Sequence, residues 1–344
     1  MTLVFALLLL LLGSLVSYSL LSFLLRQNSS ILVPDTPNSR SLHSQVVPKG
    51  GGLVIIISTV SLIGIYQAIY QSIAVMHVLI ALLVGCIAVL GWFDDRRNLR
   101  IRTRIIMQIV IACAMVYLLA RLQGINIAGY HLELPDWLLF VSIVVWVVWM
   151  TNLFNFMDGI DGLVSTQSTI ATVVLACWFY QEDAPNLVLL NMTLAGALVG
   201  FSFHNWRPAS VFLGDIGSLT LGIYFAVMGI IGWTVYRLPV EAFMLLYGVM
   251  FCDATVTLMV RILRRERWWE AHSSHFYQRL VRLGYNHAQV TSLAAMVTVC
   301  LSIYATLLIH ERAPQWLWIL LGGLTLTGCG LIIKHKEKKH LNLK

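Results

Sequence analysis

Long apolar runs, each about one bilayer deep, decide what this chain can fold into. They lie near 2–25, 50–70, 73–93, 105–121, 137–153, 163–180, 186–203, 213–235, 239–261, 289–309 and 315–333. A helix of about 20 apolar residues satisfies its own backbone groups and crosses a hydrocarbon layer. A transmembrane barrel would instead need short strands of alternating polarity, which the sequence lacks. Composition agrees: 58% of the 344 residues are hydrophobic and only 11% charged, against about 25% charged in soluble domains. The first run has no basic segment before it and no small-residue cleavage site, so it is expected to remain as a span. The expected fold is an all-α, polytopic integral membrane protein with about 10–11 transmembrane helices. It forms a single membrane domain over 1–344 with no soluble domain attached.

Basic residues set the orientation. With the N-terminus placed outside, in the periplasm, only Arg121, Arg237 and Arg312 of the 23 Lys and Arg fall on the outer side. That bias puts the loops near 26–49, 93–104, 152–162, 204–215 and 262–288, and the basic tail, in the cytoplasm. The net charge of +7 then reflects orientation and attraction to anionic lipid, not nucleic-acid binding. Cys86, Cys113, Cys177, Cys252, Cys300 and Cys329 all lie in apolar runs with no CxxC pair. They read as packing residues, with no disulfide or zinc framework.

Polar groups interrupt this apolar chain at a few places, all on the inner side. Asn155-Phe156-Met157-Asp158-Gly159-Ile160-Asp161-Gly162 sets an amide and two carboxylates where a span meets water. Asp158 and Asp161 face the same side if they share a helical turn; an ordinary turn between spans is the plainer reading. The spacing is not that of an EF-hand. Asp94 and Asp95 end the third run, where adjacent carboxylates repel and a divalent cation offsets them. The arginines that follow, Arg96 to Arg104, serve orientation first. Lys49 precedes Gly50-Gly51-Gly52, a backbone able to approach phosphate or simply to enter a helix loosely. His204-Asn205-Trp206-Arg207-Pro208-Ala209-Ser210-Val211-Phe212-Leu213-Gly214-Asp215 adds another lone carboxylate, and Phe212 either stacks on a flat base or anchors at the interface. Asp253 is an intramembrane charge, expected to face the protein interior. His272 and His275 are spaced for one helical face, without the partners of a zinc site.

Together these motifs resemble a known family. D-D-x-x-N at 94–98, N-x-x-D-G-x-D-G at 155–162, H-N-x-x-P-A-x-x-F-x-G-D-x-G-S at 204–218 and the histidine loop at 272–275 look like the polyprenyl-phosphate N-acetylhexosamine-1-phosphate transferases of the MraY and WecA types. Within that family the chain looks most like the WbpL-type branch, which starts O-antigen or related glycans; the histidine motif, often H-x-H-H, is H-S-S-H here. The resemblance implies transfer of a sugar-1-phosphate from a UDP-N-acetylamino sugar to undecaprenyl phosphate, with release of UMP. It implies Mg2+ or Mn2+, a bacterial inner membrane and the homodimer found in relatives. Asp215 is implied as a catalytic metal ligand with Asn155 as a second contact. Asp94 and Asp95 are implied to hold or activate the acceptor phosphate. Asn205, Phe212 and Asp161 correspond to uracil-binding positions, Asp158 to a nucleotide-sugar contact with Lys49 nearby, and His272 and His275 to phosphate contacts.

Two routes fit that chemistry, direct attack by the acceptor phosphate or passage through an aspartyl-phosphate. A transporter or lipid flippase is the alternative class. It calls for an inverted repeat or broken helices meeting at the midplane, and the sequence signals neither.

Overall fold

A computed structural model describes residues 2–37, 45–70, 75–119, 125–128, 130–267, 269–270 and 272–342. Expectations placed on residues 38–43, Arg121, Trp268 and Ala271 lie outside the described residues. The helices are α1 (Thr2–Arg26), α2 (Gly52–Tyr70), α3 (Val75–Arg97), α4 (Ile101–Leu119), α5 (Asp136–Met157), α6 (Leu163–Gln181), α7 (Pro185–Asn205), α8 (Gly214–Thr234), α9 (Val240–Leu246), α10 (Gly248–Leu263), α11 (Phe276–Arg282), α12 (His287–Ile309) and α13 (Gln315–Asn342). Among the described residues, 10 helices are long and apolar enough to cross a membrane. Two three-residue hairpins sit in the loops: β1 (Val33–Asp35) with β2 (Val47–Lys49), and β3 (Ile125–Ile127) with β4 (Tyr130–Leu132), both antiparallel.

The boundaries follow local chemistry. Pro185 occupies the first turn of α7, where its missing N–H costs nothing. Asn286 and Gln289 exchange hydrogen bonds of 2.9 Å across the first turn of α12, satisfying two otherwise unpaired N–H groups. The third span runs past its expected end, so Asp94 and Asp95 stand on α3 itself, in its last turn. The basic tail likewise continues α13 as helix.

At the centre stands α8, against which α2, α3, α5, α6 and α9 pack. Leu219, Ile223, Phe225, Ala226 and Val227 on it are fully buried, so most of its surface is enclosed by neighbouring helices. The tightest crossing joins α1 to α7. A Cβ at Gly196 would lie 2.1 Å from the Leu10 carbonyl oxygen, and one at Gly200 2.3 Å from that of Ser14, so small residues admit the two backbones.

One expected span is broken. The run at 239–261 reads as a continuous helix, but α9 and α10 meet at an angle of 84° around Tyr247. Both halves are apolar, so hydropathy does not separate them. Tertiary contacts do. Tyr247 is buried and donates to the Phe225 carbonyl of α8 at 3.3 Å, α9 lies on α12, and α10 is tied to α11 through Asp253. The sequence-based expectation of no broken helix is therefore corrected.

Candidate active site

The N-terminus of α8 is where the polar residues gather. A helix start leaves backbone N–H groups unpaired and carries partial positive charge. Here Asp95, reaching over from α3, accepts the N–H groups of Asp215 at 3.0 Å and Ile216 at 3.1 Å. The approach depends on two glycines. Gly214 has φ +76°, and a Cβ there would lie 2.8 Å from Asp95 Oδ2; a Cβ on Gly91 would lie 2.5 Å from the Asp215 carbonyl oxygen. Lys49 closes the arrangement from β2, with Nζ 3.3 Å from Asp95 Oδ1.

A second chain of contacts fixes Asp215. Asp94, buried beside Asp95, accepts the Leu99 N–H at 2.8 Å and pairs with Arg104 at 2.8 Å. Arg104 also donates to Asn155 Oδ1 at 3.0 Å. Asn155 Nδ2 in turn donates to Asp215 Oδ1 at 2.7 Å and to Ser218 Oγ at 3.1 Å. Both ends of the Asn155 amide are thus engaged within the protein, and its effect is to orient the Asp215 carboxylate. Asp215 itself is only half-buried.

The stretch 155–162 joins three neighbourhoods. Asp158 and Asp161 do not share a helical turn as the spacing suggested, because α5 ends at Met157 and Gly162 takes a left-handed φ of 75° before α6. They therefore diverge. Asp158 faces the acidic cluster. Burial first, then the carboxylates of Asp215, Asp95 and Asp35, hold its carboxyl well above the usual range. Asp161 turns instead to α12 and the 206–213 loop. Its Oδ1 lies 3.2 Å from His287 Nδ1, its Oδ2 accepts the Ala209 N–H at 3.3 Å, and its carbonyl accepts Thr291 Oγ1 at 2.9 Å. Asn205 closes the same latch, accepting Gly162 N–H at 3.0 Å and donating to the Val211 carbonyl at 3.0 Å. Phe212 lies alongside Lys49, its N–H on the Pro48 carbonyl at 2.8 Å.

The histidine loop forms the third neighbourhood, and it is irregular. His272 and His275 do not share a helical face: His275 is the residue before α11, and His272 lies in the preceding coil. Asp253 organises this loop from α10. It accepts the N–H groups of Phe276 at 2.9 Å and Tyr277 at 3.1 Å, and lies 3.1 Å from His275 Nδ1. Tyr277 reaches back to donate to the Phe156 carbonyl at 3.0 Å, and the Phe156 ring stacks on His275. Burial, the neighbouring His275 and Arg261 lower the pKa of His272 to about 4, which leaves it neutral near pH 7.

The structure thus unites Lys49, Asp94, Asp95, Asn155, Asp158 and Asp215. It places Asp161 with Asn205 in an adjoining latch, and His272 with His275 in a loop braced against the same stretch. Sequence reasoning passed over Arg104, Ser218, Tyr277 and His287. Arg104 carried a signal, since it stands one turn before buried Gln108 and directly before the apolar body of α4, but the surrounding arginines masked it.

Oxygen donors without thiols suit a hard divalent cation, and the Asp215 carboxylate acts electrostatically on those of Asp94, Asp95 and Asp158. That excess of negative charge fits a bound cation. Among the described residues, no group of three His, Cys, Asp or Glu is arranged to hold a metal by itself. Mg2+ in particular takes few protein carboxylates, filling its shell with water and substrate phosphate.

The bundle and this acidic, cation-studded end define a multi-pass membrane protein with a polar site of the kind that handles phosphates. The chain matches the sequence pattern of glycosyl transferase family 4 over residues 76–233. It is 25% identical over 289 residues to a Bacillus subtilis (strain 168) protein described as a probable undecaprenyl-phosphate N-acetylglucosaminyl 1-phosphate transferase, covering 82% of this chain and 78% of that one. It is 28% identical over 245 residues to the phospho-N-acetylmuramoyl-pentapeptide-transferase of Wolbachia pipientis wMel, covering 66% of this chain and 71% of the relative. The protein of that same description from Helicobacter hepaticus is 38% identical over 80 residues, 23% of this chain and 21% of its own.

Proposed function

We propose that the protein transfers an N-acetylamino-sugar-1-phosphate from a UDP-sugar to undecaprenyl phosphate, releasing UMP, at the cytoplasmic face of a bacterial inner membrane. The product starts a lipid-linked cell-envelope glycan, of the O-antigen type by the resemblance of its motifs. The observation that carries this is the Asp215 carboxylate, held by Asn155 at the start of α8 between Lys49 and Arg104.

The reaction brings two anionic phosphates together. An oxygen of the acceptor phosphate bonds to the β-phosphorus of the UDP-sugar. The bond from that phosphorus to the bridging oxygen breaks, and UMP leaves with the electron pair. Lys49 and Arg104 offset the repulsion as the two approach. Asp215 is the group that would hold Mg2+ or Mn2+, with Asn155 fixing its carboxylate; such an ion supplies charge neutralisation to phosphate oxygens. Asp94 and Asp95 each have both oxygens engaged by backbone N–H groups, Arg104 or Lys49. Neither is presented as a nucleophile, which favours the direct route. His272 and His275, in the loop braced against the 155–162 stretch, serve the diphosphate, His272 as a neutral hydrogen-bonding group.

The test is UMP release from membranes supplied with undecaprenyl phosphate, UDP-N-acetylglucosamine and Mg2+, with related UDP-N-acetylamino sugars run beside it. Release depends on both substrates, and Asp215→Asn lowers it about 100-fold or more. Full activity in that variant overturns the metal assignment. A burst of UMP without lipid acceptor overturns the direct route. The bend between α9 and α10 is a feature a carrier could share, and movement of substrate across sealed vesicles with no UMP formed reverses the reading.

A further inference from the structure

We propose that Asp253 is a positioning residue for the donor's diphosphate: it turns the His275 ring so that Nε2 meets phosphate, and it supplies the counter-charge for that contact. This role rests on the transferase reading above, which leaves Asp253 unused.

Asp253 shares the buried face of α10 with Met250, Ala254 and Thr257, in the half-span set at 84° to α9. A carboxylate in so apolar a segment is costly and marks a functional position. Among the described residues, no Lys or Arg pairs with it. Its ionisable partner is His275, whose Nδ1 lies 3.1 Å from Oδ1.

Three observations set this apart from a plain backbone cap. First, the N–H groups of Phe276 and Tyr277 that Asp253 accepts need only an oxygen. Asn, Ser or Thr provides one without burying a charge. Second, the His275 ring is fixed in plane and in rotation. Phe156 and Tyr277 stack on it, with centroids at 6.3 Å and 5.8 Å, and the contact from Nδ1 to Asp253 sets which edge faces away. Nε2, across the ring, has no hydrogen-bond partner among the described residues. Third, the loop is tied to the site. Tyr277 donates to the Phe156 carbonyl at 3.0 Å, and a Cβ on Gly159 would collide with the same hydroxyl. His275 is thus braced against the turn that carries Asp158.

Phosphate oxygens accept hydrogen bonds. An imidazole that donates to a carboxylate from Nδ1 and to a phosphate from Nε2 holds both protons and a positive charge. The groups around it are Asp253 and Thr257 of α10, His272 of the loop, Phe156 of α5 and Tyr277 of α11; Arg261 acts on the neighbouring His272. Asp253 is the anion among them. With no imidazolium between, it would repel the donor.

Asp253→Asn keeps the side chain's shape and one oxygen for the loop while removing the charge. Purified protein in detergent with Mg2+ is titrated calorimetrically with UDP, which carries the diphosphate. Uridine, which carries none, is measured by displacing UDP. The variant's Kd for UDP rises about tenfold, and that for uridine stays within about twofold and so reports a folded site. In a His275→Gln background the same substitution changes UDP binding by less than about twofold, because Asp253 acts through that ring. Unchanged or tighter UDP binding in Asp253→Asn overturns the proposal. So does an equal loss for uridine, or an undiminished loss in the His275→Gln background. In turnover the effect falls on the KM for the UDP-sugar and not on that for undecaprenyl phosphate. UDP binding that depends on Asp253 with no UMP formed from UDP-sugar and undecaprenyl phosphate counts against the transferase reading alone. UMP formed by Asp253→Asn at the wild-type KM counts against the role of Asp253 alone.

Discussion

Asp158 shows how the site holds its charge. It is surrounded by the carboxylates of Asp215, Asp95 and Asp35, and its own carboxyl is held well above the usual carboxylate range. The folded protein therefore keeps a proton there at pH values where the unfolded chain has lost it. Stability from this group falls as pH rises through the folded value, and the full penalty applies above it. Asp158→Asn removes the penalty: its thermal midpoint in detergent at pH 8 exceeds wild type by roughly 2 °C or more, and the gap closes toward pH 4. Added Mg2+ stabilises wild type more than the variant. A midpoint at or below wild type at pH 8 contradicts this account. The carboxylates were legible in the sequence because charge in so apolar a chain is costly and has to be used. Their partners were not. Asp161 and Asn205 stood in the right motifs, yet their hydrogen bonds run inward to His287, Ala209, Gly162 and Val211, contacts made across up to 126 residues of chain. Arg104 looked like one of several orienting arginines until its distances to Asp94 and Asn155 singled it out.

Helices position these residues through backbone contact. The end of α3 reaches the start of α8 only because Gly91 has no side chain; an added Cβ would lie 2.5–2.7 Å from backbone atoms of Asp215 and Ile216. Backbone cannot swing aside as a side-chain tip can, so Gly91→Ala shifts the two helices apart and carries Asp95 away from the N–H groups it caps. The expected result is a fall in kcat of about tenfold or more, with helix content by circular dichroism unchanged. Gly85→Ala, two turns earlier on the same helix and facing open space, is the matched control and keeps wild-type turnover. Gly91→Ala with normal kcat removes the argument for close approach. Span number and order were legible at this scale because hydrocarbon thickness imposes a length on each helix. The bend at Tyr247 was not, since it depends on Tyr247 reaching Phe225 and on Asp253 holding α11. Nothing in the hydropathy of 239–261 changes where the direction does.

Across the whole molecule, the site and the basic tail are mechanically joined. The end of α13 returns to α11, the helix that follows the histidine loop, where Arg279 Nε donates to Glu337 Oε1 at 2.7 Å. The tail therefore reports which side of the membrane holds the site. The positive-inside reading of the sequence assigns only Arg121, Arg237 and Arg312 of the 23 Lys and Arg to the opposite side, and the inner leaflet's negative potential favours the arrangement with the cations in the cytoplasm. The proposed chemistry demands the same orientation, because a UDP-sugar is soluble, highly charged and has to reach Asp215 without crossing hydrocarbon. Arg312 and Lys338 are both exposed, at opposite ends of α13's crossing. In a cysteine-free background, Arg312→Cys reacts with an impermeant maleimide in intact spheroplasts, and Lys338→Cys reacts only after the membrane is permeabilised. The reverse pattern would put the acidic cluster on the outer face, where neither the donor nor the positive-inside bias would place it, and the transferase proposal would fall with the topology.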